Sequence, residues 1–199
     1  MDTLTNPRFP ENFKSLSASD RRNVVDHYKN IETELIKGDL DKNRSNLVLI
    51  AENWGYDFNL ATLIRNSNAF LAKCVYIVGR KQFDRRGSVG TYKYEHLIFS
   101  DNLAEVVYGL KKEGYTVVVM DNIEGAKSIE NFEWPVKSAI IFGQESIGVS
   151  PEALEMADHV VYIPQLGSVR SLNVATASGI SIYDYMVKSS SFKGKYDGR

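Results

Sequence analysis

His159-Val160-Val161-Tyr162-Ile163-Pro164-Gln165-Leu166-Gly167-Ser168-Val169-Arg170-Ser171-Leu172-Asn173-Val174 is the stretch on which the architecture turns. Its first five residues are rich in β-branched and aromatic side chains and read as a strand. Pro164 and Gly167 interrupt that strand and make a loop. Polar residues at 171 and 173 then open a helix that runs over 172–188. Ala175, Ala177, Ser178, Gly179 and Ser181 along that helix allow another backbone to come close. In open α/β sheets ligands bind at the carboxyl ends of strands, so a polar loop in this position is a candidate site.

The same alternation extends backwards along the chain. Asn46-Leu47-Val48-Leu49-Ile50-Ala51 is a short continuous apolar run, as in a strand buried on both faces. Further strands are expected over 74–78, 115–120 and 138–142. Leu60, Leu63, Ile64, Phe70 and Leu71 give residues 59–72 a helical period, and Leu103, Val106, Val107 and Leu110 do so for 101–112. Ser150-Pro151-Glu152 is a helix start with a capping hydroxyl, a proline at the first helical position and an acid near the positive end of the dipole. Strands alternating with helices predict an α/β fold, a mostly parallel sheet flanked by helices. At the front of the chain, Ser17-Ala18-Ser19-Asp20 resembles a capping box, followed by a stripe of Val24, Val25, Tyr28 and Ile31 or Leu35. Lys37-Gly38-Asp39 should end that helix, with a linker reaching Ser45. The expected division is an N-terminal helical extension (1–45), a main domain (46–189) and a flexible basic tail (190–199).

The chain has 199 residues, 43% hydrophobic, which suits one full-sized core rather than two large domains. Lys plus Arg is 24 and Asp plus Glu is 25, so any site for nucleic acid must be local. Cys74 is the one cysteine and sits in an apolar run, as a small core residue would; no internal disulfide or Cys-rich zinc site is possible. His27, His96 and His159 lie far apart, so no metal site is expected. The polar N-terminus does not read as a signal peptide and no apolar run reaches a membrane span, so a cytoplasmic protein is expected. The glycine fingerprints of dinucleotide-binding and P-loop proteins and the G-x-S-x-G elbow are missing, which disfavours a dinucleotide-dependent oxidoreductase.

Three polar segments interrupt the apolar pattern. Asn59-Leu60-Ala61-Thr62-Leu63-Ile64-Arg65-Asn66 places Arg65 inside a helical pattern; it is a surface arginine, one paired with a structural carboxylate, or a functional group. Phe142-Gly143-Gln144-Glu145-Ser146-Ile147-Gly148 follows a strand, with glycines that let the loop approach a ligand; Glu145 binds there or is simply solvated. The third segment is the loop after Ile163. Ser171 has a plain alternative as a helix cap, whereas Asn173, a poor helix former in a first turn, is harder to explain that way.

In this order the three segments resemble the three motifs of the SPOUT superfamily, and specifically of the TrmH (SpoU) family of RNA ribose 2′-O-methyltransferases. The resemblance spans roughly 46–188. Ala61 stands where the family usually has Gly, and Asn66 where it usually has Thr; neither removes a functional group. The resemblance implies a SPOUT methyltransferase domain with a C-terminal deep trefoil knot, S-adenosylmethionine bound in that knot through main-chain groups, and a homodimer. Carried over by position, the cofactor contacts are Gly143, Ile163 and Leu172, with Met120 at a strand end as a weaker one. The catalytic set is Arg65, with Asn59, Glu145, Ser171 and Asn173 orienting it and the ribose. A ribose 2′-oxygen would attack the methyl carbon on the positive sulfur in line, forming the O–C bond as the S–C bond breaks and a neutral thioether leaves. A free guanidinium titrates above about 12, so stabilising developing oxyanion charge is a better role for Arg65 than acting as a base.

An RNA partner also fits the local charge. Residues 73–93 hold Lys73, Arg80, Lys81, Arg85, Arg86 and Lys93 against Asp84 alone, and acids in 101–133 restore neutrality. Arg80, Lys81, Arg85 and Arg86 surround Phe83, which suits phosphate contact plus base stacking, unless the segment is an ordinary solvated loop. The tail adds Lys188, Lys193, Lys195 and Arg199 against Asp197. tRNA is the expected substrate, favoured because only about 45 residues precede the first strand, short for a separate RNA-binding domain. Arg170-Ser171-Leu172-Asn173 also resembles eukaryotic-type tRNA guanosine methylases. Ribosomal RNA, or a non-catalytic RNA-binding role on the same fold, are the alternatives.

Overall fold

The computed structural model describes residues 20–53, 58–144 and 147–189. Seven strands alternate with helices: β1 (Val48–Asn53), α2 (Phe58–Ala69), β2 (Cys74–Gly79), β3 (Leu97–Ser100), α3 (Leu103–Lys112), β4 (Thr116–Met120), β5 (Lys127–Ser128), β6 (Ser138–Phe142), α4 (Pro151–Met156), β7 (His159–Tyr162) and α5 (Val174–Lys188), preceded by α1 (Thr33–Asp41). They form one sheet in the order β3-β2-β1-β6-β4-β7-β5, with every neighbouring pair parallel. The five expected strands and the four expected helices after residue 46 are all present. The sheet adds β3, an edge strand, and the two-residue β5.

The central strands are apolar on both faces because both faces are covered. Leu47, Leu49 and Ala51 point to one side with Ile140, Phe142 and Tyr185, and pack against α2 and α5. Val48 and Ile50 point to the other with Val117, Val119 and Ile141, against α3 and α4. Cys74 is buried on that second side, and burial pushes its thiol up to about 11. α5 is held at its far end by the Trp134 indole N–H donating to Asp184 (2.7 Å) and the Tyr185 hydroxyl donating to the Val136 carbonyl (2.6 Å).

Ahead of β1 the structure differs from the expected helix. A 3-10 turn covers only Asp26–Tyr28, Asn30 is left-handed, and α1 then runs past Lys37 and Gly38 to Asp41. The cause is Asp20, whose carboxylate accepts from Asn30 N and from the Arg22 side chain and folds the segment back. The residues expected as a linker are tied to the domain. Arg44 donates to both oxygens of Glu95 (3.2 Å each), to the Ala72 and Tyr94 carbonyls, and to Asp41. The Glu95 side chain is 0% exposed and also accepts from Ser67 and Asn68 on α2 (2.8 Å each). Burial raises the pKa of Glu95, opposed by Arg44 and the two α2 donors. A raised carboxylate binds its proton more readily folded than unfolded, so this group's contribution to stability declines as pH rises between the two pKa values.

Removing one partner of a buried pair strands the other. Glu95→Ala is therefore expected to cost about 3 kcal/mol, a fall in Tm of roughly 6–12 °C for a chain of this size. Thermal melts check this, and replacing Arg44 and Glu95 together by apolar residues should recover much of the loss.

Candidate functional site

Because all the strands are parallel, their carboxyl ends lie along one edge. Met120 at the end of β4 pairs with Phe142 of β6 and with Val161 of β7. Gly143 and Ile163 follow within two residues on those neighbouring strands, so three of the four expected cofactor positions sit on adjacent strand ends. Leu172, the fourth, immediately precedes the cap of α5.

The loop after β6 folds back on itself. Gln144 N donates to Gly148 O (3.0 Å) and Gly148 N to Gln144 O (2.8 Å). Gly148 is left-handed at φ +78°. Gly143 lies so close to the returning chain that a Cβ there would fall well inside contact distance of Gly148 C and O and of Val149 N. Only glycine fits, which gives a physical reason for the residue independent of any ligand. Glu145, the acid of this loop, lies outside the described residues.

Glu52 is a buried acid that the strand pattern did not single out. It ends the apolar run of β1 and its Oε2 accepts from Ser150 N (2.9 Å), next to the positive end of α4. Ser150 in turn caps α4 through Ala153 N, as its sequence predicts. Glu52, Asn59, Leu60, Phe142, Gly143 and Val174 line a small cavity at the strand ends. The signal was there in sequence: a carboxylate closing an otherwise apolar strand.

α2 is docked on α5 by two asparagines seven residues apart, hence on one face of the helix. Asn173 Nδ2 donates to Asn59 Oδ1 (3.0 Å). Asn66 Nδ2 donates to the Ala175 carbonyl and to Ser178 Oγ (3.0 Å each), and Gly179 leaves room for it. With the Asn59–Asn66 face turned to α5, Phe58 and Arg65 are exposed on the neighbouring side, where half-buried Thr62 lies between them. Arg65 is exposed and has no hydrogen bond or ion pair among the described residues. A structural carboxylate partner, the plain alternative for this arginine, is not found there.

Asn173 and Ser171 exchange the roles their sequence suggested. Asn173 is the cap of α5, its Oδ1 accepting from Ala175 N and Thr176 N. Ser171 is exposed, lies before the cap, and has no hydrogen bond among the described residues. Asn59 and Asn173 are thus in direct contact, Arg65 lies six residues along the same helix from Asn59, and Ser171 stands two residues ahead of the α5 cap.

The described residues at this edge leave one buried group for a bound cofactor. In the loop after β7, Gln165 Oε1 is buried without a hydrogen-bond partner among the described residues. A buried acceptor left unpaired is expensive, and a ligand donor would satisfy it. Ile147, Leu166 and Val169 are exposed around the same edge.

The basic segment after β2 divides in two. Arg80 and Lys81 leave the carboxyl edge and are exposed. Arg85 and Arg86 lie on a 3-10 turn (Arg85–Ser88) capped by Asp84 and packed on α2, where a Cβ on Gly87 would sit 3.1 Å from Ala61 Cβ and 3.6 Å from Phe58 O. Asp84 pairs with Arg86, which holds its carboxyl below the usual range. Phe83 does not serve for base stacking: it is 9% exposed and part of the core. The rings beside these guanidiniums are instead Tyr92, 5.1 Å from Arg85, and Phe58, 5.6 Å from Arg86.

Among the described residues no helix is long and apolar enough to cross a membrane. The family model described as SpoU rRNA Methylase matches residues 46–183. A tRNA (guanosine(18)-2′-O)-methyltransferase of Thermus thermophilus is 31% identical over 148 residues, covering 73% of this chain and 76% of that protein. The enzyme of the same name from Aquifex aeolicus is 27% identical over 149 residues, covering 73% and 71%. The solved A. aeolicus TrmH/SpoU tRNA modifying enzyme superposes with a TM-score of 0.70 at 23% identity, over 82% of this chain and 83% of that one. The SpoU methyltransferase AviRb from Streptomyces viridochromogenes, solved in complex with AdoMet, superposes with a TM-score of 0.67 at 20% identity, over 77% and 64%.

Proposed function

The chain belongs to the SpoU rRNA methylase family, and on that premise we propose that it methylates a ribose 2′-hydroxyl of tRNA, at a guanosine, with S-adenosylmethionine as methyl donor. The observation that carries this reading is the joining of the first and third motifs through the Asn59–Asn173 hydrogen bond, on the edge where Gly143 makes its backbone turn. The relatives' names supply the tRNA and the guanosine. The catalytic unit is residues 46–189, with the C-terminal segment threaded as in the family.

S-adenosylmethionine supplies a methyl group on a positively charged sulfur. Gly143, Ile163, Leu172 and Met120 would hold it, with Gln165 Oε1 taking a donor from it. Everything else falls to the chain's own side chains. Arg65 carries an uncompensated positive charge into solvent, where a ribose oxygen that is losing its proton gains most from it. Asn173 has its Oδ1 committed to the α5 cap, so it fixes the start of α5 and, through Asn59, the rotation of α2. Ser171, free of any such duty, and Glu145 are the polar groups left to orient the ribose. Holding the reacting groups in place is worth a large part of the barrier in a displacement of this kind.

The protein works as a homodimer in the cytoplasm. Thr176, Ile180, Tyr183 and Val187 form one exposed stripe along α5, three of the four apolar and spaced at one helix face. A second copy covers such a face. Sedimentation should give twice the mass of one chain, and Tyr183→Glu should give one.

Methyl transfer from labelled cofactor to bulk tRNA and to ribosomal RNA tests the substrate: label is expected in tRNA, and label in ribosomal RNA alone would overturn the choice. If Arg80, Lys81, Arg85 and Arg86 contact phosphates, log affinity for tRNA should fall against log salt with a slope of about −3. A flat dependence would remove them from the interface.

A further inference from the structure

We propose that Phe58 is a stacking platform for a nucleobase of the RNA substrate. This rests on the RNA-methyltransferase reading above and adds a contact to it. Phe58 is the first residue of α2 and 57% of its surface is exposed. The Arg86 guanidinium lies 5.6 Å from its ring centroid. The arrangement is held from both sides. Gly87 packs against the Phe58 carbonyl and Ala61, and Arg86 is anchored by Asp84 through both its backbone N–H and its side chain.

Position selects the ligand. Phe58, Thr62 and Arg65 are spaced i, i+4 and i+7, so the exposed ring and the exposed guanidinium lie on one side of α2, with Gly87 of the Arg85–Ser88 turn against Thr62 between them. Along the axis they are roughly 10 Å apart. A nucleotide whose ribose meets Arg65 can lay its own base, or its neighbour's, over Phe58. The Arg86 guanidinium at the ring, with exposed Arg85 on the same turn and exposed Arg65 two turns along α2, favours a polyanion over a second copy of the same cationic face. Phe83, the ring its basic flanks point to, is buried in the core, so the stacking duty passes to Phe58. Single-stranded nucleotides are commonly read this way, by aromatic faces next to arginine.

The test uses the full-length protein with Phe58→Ala, Phe58→Leu and Phe58→Trp. Phe58→Ala should raise KM for tRNA about tenfold, leave kcat within about twofold, and leave the affinity for S-adenosylmethionine and the melting temperature near wild type. Phe58→Leu, which keeps apolar bulk without a π face, should lose as much. Phe58→Trp should keep most of the binding and show fluorescence quenching by tRNA beyond that of the wild type. Rescue by leucine, an unchanged KM in the alanine variant, or a shift from dimer to monomer in its place would overturn the stacking role while leaving the methyltransferase reading intact. A wild-type protein that transfers no methyl group to tRNA would overturn that reading and this proposal with it.

Discussion

Arg65→Ala should lower methyl transfer about a thousandfold while S-adenosylmethionine binds as it does to the wild type. The expectation follows from where Arg65 stands. It is exposed on α2, without an ion pair among the described residues, so its removal strands no buried charge and should barely move the melting temperature. A loss of turnover would then be chemical rather than structural. Arg65→Lys keeps the charge but not the planar fork of donors, and should recover only part of the rate. Isothermal calorimetry with the cofactor and single-turnover kinetics with tRNA separate the two effects. Near-wild-type turnover in the alanine variant would take Arg65 out of the mechanism.

Gly143→Ala should do the reverse, losing cofactor affinity by at least about tenfold along with about 1–3 kcal/mol of stability. The added Cβ would meet backbone, namely Gly148 C and O and Val149 N. That backbone cannot easily move aside. Gln144 and Gly148 pinch the loop with two hydrogen bonds, and Glu52 holds the next turn through Ser150 N. The loop must open to accept the methyl group, and the main-chain groups proposed to hold the cofactor would go with it. A variant that binds S-adenosylmethionine with wild-type affinity would show that this loop is not the cofactor's.

The parallel sheet was legible in sequence because its central strands are buried on both faces, and such strands announce themselves as unbroken apolar runs. β3 was not, because it is a four-residue edge strand with Ile98 and Phe99 each 40% exposed, and β5 has only two residues. The N-terminal helix was misplaced for a long-range reason. A local stripe from Val24 to Ile31 or Leu35 favours one helix ending at Lys37-Gly38-Asp39, but the Asp20 carboxylate gains more by clasping Asn30 N and Arg22, and the chain turns at Asn30. Arg44 gave no local sign that it would reach Glu95, 51 residues away.

At the site, residue types were legible and their division of labour was not. Ser171 and Asn173 are both good caps, and sequence alone cannot choose between caps two residues apart. The choice is made by Asn59, 114 residues away, whose amide oxygen meets Asn173 as α2 docks on α5. Phe83 looked available for stacking because charges flank it, yet its ring turns inward while Phe58, in an apolar-looking helix start, turns out. The same docking explains Asn66: its amide reaches two acceptors on α5 at once, a span that a threonine hydroxyl in its place would not cover.

The most direct measurement is to incubate the wild-type protein with tRNA and methyl-labelled S-adenosylmethionine, and then to hydrolyse the RNA in alkali. A methylated 2′-oxygen cannot attack its own phosphodiester, so label is expected in an alkali-resistant dinucleotide that yields 2′-O-methylguanosine on complete digestion. Label released as a base-methylated mononucleotide, or none in the RNA at all, would contradict a ribose methyltransferase built on Arg65 and the α2–α5 pairing.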